Sequence, residues 1–421
     1  MKKIIGWAII IYVLYCIGIA WYLFSFADSS IPSKWKGTSA DPATFLTPSE
    51  QVLSEQYSQW KNFLFFVSVP YDWLAYLAVL WLGMAKALQT WSEKATKWFV
   101  LQVAFYVFWF SIIMTVLTLP FDFISYRISW AYGVSTQSVF SWMRDEAMDF
   151  LVNTVMLFLI VVVLYGLIRR FEKRWWLYAW MVSVPFTIFF MFIQPVVIDP
   201  LYNDFYPLKD KVLEAKILAL AEKAHIPSDH VFEVNMSEKT NTLNAYVTGI
   251  GSHARIVLWD TTLQRLKEKE VLFIMAHEMG HYVMKHVYWG VASYIVLTFA
   301  GLFVAGRVMN WLIRRWGEYF HLHKISALAS LPMFLLVISV LNFSVSPVVN
   351  MVSRYEEHAA DEYAIKLTKD PDAAISAFQK LTKAGLSEVN PPVFVKIFRY
   401  THPTIFERMV FLEKQKYSER N

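Results

Sequence analysis

The stretch 273–286, FIMAHEMGHYVMKH, holds three of the ten histidines in the chain. His277 and His281 are four residues apart, so on a helix both imidazoles share one face and can bind one zinc ion. Glu278 projects beside them, where it could take a proton from a water that zinc activates. The pattern H-E-x-x-H therefore predicts a hydrolytic zinc site. The alternative is two surface histidines on a helix near a membrane, because so short a pattern also arises by chance.

A catalytic zinc ion needs three protein ligands and one open position. The residues after His281 lack a third histidine in the H-x-x-G-x-x-H arrangement, so a carboxylate on a distant helix would have to complete the set. The segment 352–367, VSRYEEHAADEYAIKL, supplies Glu357, and Asp361 shares its helix face. Asp361 could accept a hydrogen bond from the far nitrogen of a zinc-binding histidine. Three neighbouring side chains compete for these roles: Glu356, His358 and Glu362. The alternative is a solvated acidic helix.

The composition indicates that these residues belong to a polytopic membrane protein. Apolar residues make up 56% of the chain and charged residues only 17%, against about 25% charged in typical soluble domains. Seven apolar runs reach the roughly 20 residues that a membrane-spanning helix needs. They lie at 4–26, 64–85, 98–119, 150–168, 175–198, 287–306 and 326–350. The first run is too long for a signal peptide, whose apolar part has about 7–15 residues, so we expect a retained anchor.

Two polar segments interrupt the apolar runs. Residues 199–286 and 351–421 each follow an odd-numbered run, so both lie on the same side of the membrane and can form one catalytic domain. The other two predicted regions of the chain are the membrane parts: 1–198, with spans one to five, and 287–350, with spans six and seven. Within the first polar segment, helical periodicity and two short alternating stretches around a turn at Gly249 and Gly251 predict a mainly helical domain with a small β-sheet.

The charges indicate topology rather than nucleic-acid binding. Basic residues cluster at the ends of apolar runs, and no nucleic-acid partner is expected. Short loops on the side of the N-terminus carry 13 Lys and Arg residues, against five in the short loops of the other side. The positive-inside rule then places the N-terminus in the cytoplasm and the catalytic domain on the outer face. The single cysteine, Cys16, excludes an intrachain disulfide and a cysteine-based zinc site.

Several segments resemble one family. HEMGH with SRYEEHAAD is similar to the H-E-x-x-H and S-R-x-x-E-x-x-A-D pair of the integral-membrane zinc metalloproteases that include the type I CaaX prenyl protease. NAYVTGIGSHARIVLWDT (244–261), HPTIFERM (402–409) and YGVSTQSVFSWMRD (132–145) also resemble family segments. The resemblance extends over nearly the whole chain from about residue 60. It implies one zinc ion per chain, Glu357 as third ligand, and seven transmembrane helices ringing a chamber with a gluzincin-like domain.

The resemblance also implies roles for residues outside the metal ligands. His402 and Arg408 would reach the zinc site and stabilise the oxyanion of the tetrahedral intermediate. An extended peptide would bind as an added strand. The residues that hold it would be Asn244, Ala245 and Tyr246. His286 matches a histidine that often follows the second ligand by five residues, but a packed interfacial histidine is an equal alternative.

The predicted function is that of a zinc-dependent membrane endopeptidase of the CaaX prenyl protease type. Its substrate would be a peptide or a membrane protein, with or without a lipid group, and its surroundings the lipid bilayer. Two alternatives remain: a quality-control metalloprotease without prenyl specificity, and a seven-span transporter or channel with a regulatory zinc site. The few ionisable residues within the spans disfavour transport. The eukaryotic relatives have a cytosolic site, whereas the loop charges here favour the outer face.

Overall fold

A computed structural model describes residues 2–228, 230–248 and 255–418. Seven of its helices are long and apolar enough to cross a membrane, which confirms the predicted number. They are α1 (Lys2–Trp21, continued by a π-helical turn Tyr22–Phe26), α2 (Pro48–Trp81), α4 (Phe99–Ala131), α5 (Val139–Arg170), α6 (Trp175–Ile193), α10 (His286–Trp316) and α11 (Leu331–Thr368). A short helix, α3 (Met84–Ala95), follows α2.

Several spanning helices are longer than their apolar runs. Helix α2 has 34 residues and α11 has 38, which at about 1.5 Å per residue is roughly 50–57 Å. The hydrocarbon core of a bilayer is only about 30 Å thick. The polar ends of these helices therefore extend beyond the membrane, and the extension of α11 carries Glu357 into the catalytic domain.

The second span ends before its predicted boundary at residue 85. Helix α2 stops at Trp81, and Gly83 adopts a left-handed φ of 70° before α3 begins. A residue without a Cβ tolerates that conformation, which is a common way to end a helix. Leu88 of α3 is buried in the hydrophobic cluster that the spanning helices form. Continuous hydrophobicity thus concealed a break between two helices.

The catalytic domain combines a small sheet with helices from both polar segments. The strands are β1 (Phe205–Pro207), β2 (Val231–Val234), β3 (Ala245–Thr248) and β4 (Arg255–Trp259), in the order β1-β2-β4-β3. Strands β2 and β4 are parallel, and the two outer pairs are antiparallel. The helices are α7 (Lys211–Lys223), α8 (Asp260–Arg265), α9 (Glu268–Val283), α12 (Pro371–Gly385), α13 (Val393–Arg399) and α14 (Ile405–Ser418). The turn predicted at Gly249 and Gly251 lies outside the described residues.

Two loops of the membrane region also pack on the catalytic domain. In the loop after α1, Ala40 is fully buried in the cluster that contains Phe273 and Met409. In the loop after α4, Thr136 N donates to Lys239 O at 3.1 Å. Both loops follow odd-numbered spans, so these contacts agree with the crossing count that put the two polar segments on one side.

Helices α9 and α11 approach each other closely at Gly280. A Cβ added there would lie 3.2 Å from Tyr363 Cδ1 and 3.3 Å from the Ala360 Cα. Such distances are tighter than ordinary van der Waals contact, so only glycine fits without displacement of α11. Because Gly280 lies between the predicted ligands His277 and His281, this contact sets how near both imidazoles come to α11.

Replacing Gly280 with Val is expected to destabilise the protein by about 1–3 kcal/mol, because the added methyl groups must push α11 away. The apparent melting temperature in detergent should fall, and metal should be retained less well. Gly290→Val is the matched control, since a Cβ at Gly290 meets no atom within 4 Å. Equal behaviour of the two variants would contradict this account of the helix contact.

Candidate metal centre

Three predicted ligands from two helices meet at one point. His277 and His281 extend from α9, and Glu357 extends from α11, with their ligand atoms all within 4.8 Å of one another. The two Nε2 atoms are 3.2 Å apart. Glu357 Oε2 lies 3.2 Å from His277 Nε2, and Glu357 Oε1 lies 3.4 Å from His281 Nε2. Two imidazoles and one carboxylate form the donor set of a catalytic zinc site with an open fourth position.

The Glu357 carboxylate has the surroundings of a metal ligand. Its Oε2 atom is buried and has no hydrogen-bond partner among the described residues, although His277 Nε2 is only 3.2 Å away. A buried carboxylate oxygen without a partner is costly unless a cation binds it. The residues present therefore fit a divalent metal ion. The competitors identified in the sequence, Glu356, His358 and Glu362, are not in this ligand group.

Asp361 and Arg408 lie behind His277. Asp361 is fully buried, and its Oδ1 is 2.9 Å from His277 Nδ1. Arg408 donates from Nε to Asp361 Oδ2 at 2.8 Å and from Nη2 to Oδ1 at 2.6 Å. Its guanidinium also stacks 4.0 Å from the ring centroid of Phe378. The pair thus holds the imidazole from its Nδ1 edge, while Nε2 faces the other ligands.

The position of Arg408 differs from the one that the resemblance implies. The guanidinium lies 3.4 Å from His277 Nδ1, on the edge of the ring opposite to Glu357. The residue is only 9% exposed, and Asp361 takes two of its hydrogen bonds. From these contacts we expect Arg408 to orient Asp361 and His277 rather than to reach the oxyanion. The sequence could not reveal this position of Arg408, because the motif HPTIFERM does not show which side of a distant imidazole the arginine contacts.

The charges around His277 and Glu278 suit a metal site. Burial alone would lower the pKa of His277, but the neighbouring carboxylates of Asp361 and Glu357 raise it to about 9. A metal ion must therefore displace a proton from this ring, as is usual for histidine ligands. Burial raises the pKa of Glu278, against the opposing effect of His277 and His281. A carboxyl group with a raised pKa is a better proton acceptor than an exposed glutamate.

His286 contacts the second histidine of the motif. Its Nδ1 lies 2.9 Å from His281 Nδ1, so one ring donates and the other accepts. Helix α10 begins at His286 directly after Lys285, whose left-handed φ of 59° turns the chain back toward the site. The other nitrogen of His281 faces Glu357. We therefore expect His286 to help orient the His281 ring, a role that the sequence left open.

Replacing His286 with Ala is expected to weaken metal binding about 10–100-fold, as loss of a hydrogen-bonding partner of a ligating histidine usually does. Titration of the apo protein with zinc in the presence of a competing chelator would measure the change. Asn can hydrogen-bond in place of the imidazole, so His286→Asn should recover part of the affinity. The exposed His230 provides the control His230→Ala; an effect of equal size there would contradict the role of His286.

His402 lies on the metal side of Glu357. Its Nε2 is 3.3 Å from Glu357 Oε1, its Nδ1 is 3.0 Å from Thr401 Oγ1, and its side chain is 57% exposed. The loop that carries it is held by Arg354, whose Nη1 donates to Lys396 O at 3.1 Å and to Tyr400 O at 2.7 Å. The sequence did not identify Arg354 as a residue that positions this loop, although it is the arginine of SRYEEHAAD. Only the folded chain reveals which carbonyl groups it reaches.

The predicted substrate-holding residues lie on or beside an edge strand. Ala245 and Tyr246 belong to β3, which packs against α9. Asn244 precedes the strand; its backbone N donates to Thr262 Oγ1 at 2.9 Å, and its carbonyl accepts from that hydroxyl at 2.7 Å. Strand β3 is paired only with β4 among the described strands. No described strand pairs with its other edge, and the role in substrate binding stays a prediction.

Comparison with known proteins finds two family models that together match most of the chain. The model of peptidase family M48 matches residues 207–416, and that of the CAAX prenyl protease N-terminal region, five membrane helices, matches residues 35–204. The uncharacterized metalloprotease YhfN of Bacillus subtilis (strain 168) is 53% identical, over 99% of this chain and 98% of its own. A CAAX prenyl protease 1 homolog of Arabidopsis thaliana is 30% identical, over 69% and 68% of the two chains.

The fold is similar to that of a solved structure. The crystal structure of S. mikatae Ste24p superposes with a TM-score of 0.79 over 97% of both chains, at 21% identity. This likeness supports the fold alone, and it confirms the predicted fold class of a polytopic helical membrane protein whose polar domain carries a small β-sheet. Together with the relative that is 53% identical over nearly its full length, these matches show that the chain belongs to peptidase family M48 and is a multi-pass membrane metalloprotease.

Proposed function

We propose that this metalloprotease is a zinc endopeptidase that binds one zinc ion per chain through His277, His281 and Glu357. The observation that carries the proposal is the meeting of these three ligand atoms within 4.8 Å, with Glu278 next to His277 on the same helix. When bound, zinc supplies the Lewis acidity that lowers the pKa of a water molecule and polarises a peptide carbonyl. Two imidazoles and one carboxylate are a ligand set that catalytic zinc sites use.

The residues around the ligands transfer the proton, stabilise the oxyanion and orient one ligand. Glu278 accepts the proton of the attacking water and returns it to the leaving amine. His402 is exposed on the same side as Glu357 and donates a hydrogen bond to the developing oxyanion. Asp361, held by Arg408, keeps His277 in the tautomer that leaves Nε2 free to bind metal.

The open edge of β3 supplies a surface for the peptide. An extended substrate can pair with main-chain groups of Ala245 and Tyr246, as in other proteins that bind a peptide as an added strand. Because β3 packs against α9, a peptide on that edge would run beside the helix that carries Glu278. Such pairing recognises the main chain of the peptide rather than its side chains, which fits an endopeptidase that accepts varied sequences.

Metal dependence tests the proposal directly. The protein purified in detergent should contain about one equivalent of zinc, and a chelator should abolish hydrolysis of an internally quenched peptide. Added zinc should restore the activity. A sample freed of metal that still hydrolyses the peptide at full rate would overturn the proposal.

The substrate class extends to lipidated peptides. Relatives are named CAAX prenyl proteases, and the seven apolar helices adjoin the candidate site, which supports entry of an apolar group from the membrane. Matched farnesylated and unmodified peptides would be compared in the same assay. We expect a clear preference for the farnesylated peptide; cleavage of unrelated unmodified chains alone would instead favour a quality-control protease.

The distribution of loop charges supports a candidate site on the outer face of the membrane. A cysteine introduced at the exposed position 230, in a Cys16→Ala background, would report the side. In intact cells a membrane-impermeant maleimide should label His230→Cys. Labelling only after the cells are permeabilised would place the site in the cytosol.

A further inference from the structure

The loop that carries His402 is fixed by the same helix that carries the third predicted metal ligand. The last carbonyl groups of any helix lack partners within that helix. At the end of α13, Arg354 of α11 binds two carbonyl groups, and Asn350 donates from Nδ2 to Ile397 O at 3.1 Å. Asn350, Arg354 and Glu357 follow one another at intervals of four and three residues, so they share one face of α11. The position of the loop relative to the metal centre is therefore defined by one rigid element.

The two ring nitrogens of His402 have different neighbours. Its Nε2 is 3.3 Å from Glu357 Oε1, and its Nδ1 is 3.0 Å from Thr401 Oγ1. A neutral imidazole carries one proton, so one of its nitrogens donates a hydrogen bond and the other accepts one. The nitrogen that carries the proton therefore decides whether His402 can donate a hydrogen bond toward the metal centre.

These neighbours select one tautomer of His402. A carboxylate oxygen only accepts hydrogen bonds. With the proton on Nδ1, the lone pair of Nε2 would face the carboxylate of Glu357, and two acceptors at this distance repel each other. With the proton on Nε2, this nitrogen points an N–H group toward the carboxylate. The hydroxyl of Thr401 then rotates to donate to Nδ1, so both ring nitrogens have a suitable partner.

The surroundings of Thr401 separate this hydrogen bond from the stability of the fold. Thr401 is exposed and lies between α13 and α14. Thr404 differs from it, because Thr404 is only 2% exposed and its Oγ1 accepts from Glu407 N at 3.1 Å at the start of α14. Substitutions at exposed positions outside such caps usually change stability little. The hydroxyl of Thr401 can therefore be removed without unfolding the domain.

We propose that Thr401 is a positioning residue for peptide hydrolysis: its hydroxyl keeps His402 in the tautomer whose Nε2 carries the proton. This inference rests on the proposed function, in which His402 donates a hydrogen bond to the oxyanion. Thr401 acts through His402 and not on the substrate. Because the oxyanion forms only after the substrate is bound, loss of the hydroxyl should lower kcat and leave KM and metal content nearly unchanged.

The test compares Thr401→Val with Thr401→Ser. Valine keeps the shape of threonine but lacks the hydroxyl, so kcat should fall about 3–10-fold, the order expected for the loss of one hydrogen bond. Serine keeps the hydroxyl and should keep nearly the whole rate. Cleavage of an internally quenched peptide is measured at about pH 8, where an ordinary histidine, with a pKa of about 6.5, is neutral.

Thr44→Val is the matched control. Thr44 is also exposed, and its hydroxyl donates to Asp41 O at 2.8 Å within its own loop, which packs on the catalytic domain. This variant should keep the kcat of the wild-type protein. Metal content and apparent melting temperature are measured for every variant. If Thr401→Val loses metal or melting temperature in step with its activity, the hydroxyl has a structural role and the proposal is overturned.

A double variant shows whether the hydroxyl acts through His402. In a His402→Ala background, Thr401→Val should lower kcat no further, because the two residues act as one unit. A further loss of the same size as in the wild-type background would overturn the proposal, as would an unchanged kcat of Thr401→Val alone; both results leave the endopeptidase intact. Full activity of His402→Ala would instead refute the oxyanion contact and the role of Thr401 with it. Absence of metal-dependent cleavage by the wild-type protein would refute the proposed function itself.

Discussion

Replacing Glu278 with Gln is expected to leave the metal content unchanged and to lower peptide hydrolysis by about 10²–10⁴-fold, the usual contribution of a general base. The amide keeps the size of the side chain but cannot accept the proton of the attacking water. Glu278 is not in the ligand group of His277, His281 and Glu357, so the metal should stay bound. Metal analysis and single-turnover cleavage of the same sample measure both halves of the expectation.

Glu356→Gln is the matched control for this variant. Glu356 is also half-buried and lies next to a predicted ligand, but it is outside the ligand group. Its replacement should leave both metal content and hydrolysis close to those of the wild-type protein. A Glu278→Gln protein with bound metal and full activity would contradict the assignment of the base.

Replacing Arg408 with Met is expected to lower the free energy of unfolding by about 3–5 kcal/mol, because it leaves the buried carboxylate of Asp361 without its cation. Asp361 is fully buried and receives two hydrogen bonds from the guanidinium. His277 should lose its orientation as Asp361 shifts, so metal affinity should fall together with stability. Denaturant unfolding in detergent and competitive zinc titration give the two quantities.

A double-mutant cycle distinguishes this role from contact with the oxyanion. Asp361→Asn combined with Arg408→Met removes both buried charges. The double variant should therefore lose less unfolding free energy than the two single variants lose in sum. If Arg408 instead contacts the oxyanion, the Arg408→Met variant would keep its stability and its metal content, but its kcat would fall. That outcome would overturn the position derived from the contacts with Asp361 and His277.

The spacing of a few residues determined much of the candidate site. His277, Glu278 and His281 lie on one helix, so their relative directions follow from the helical repeat alone. The same argument applies to Glu357 and Asp361, which α11 carries on one face. The seven spans follow from hydropathy, because a bilayer of fixed thickness demands long apolar stretches. The ends of the helices do not follow from hydropathy, because polar extensions such as those of α2 and α11 give no apolar signal.

The sequence by itself determined the chemistry of the site, the number of spans and the common side of the two polar segments. Only the tertiary structure decided that Arg408 lies behind His277 and that His286 pairs with His281. Each of these depends on how separate elements pack, including the glycine contact between α9 and α11. Helical periodicity determines directions within one element, whereas the relative placement of elements comes from side-chain packing summed over the whole interface.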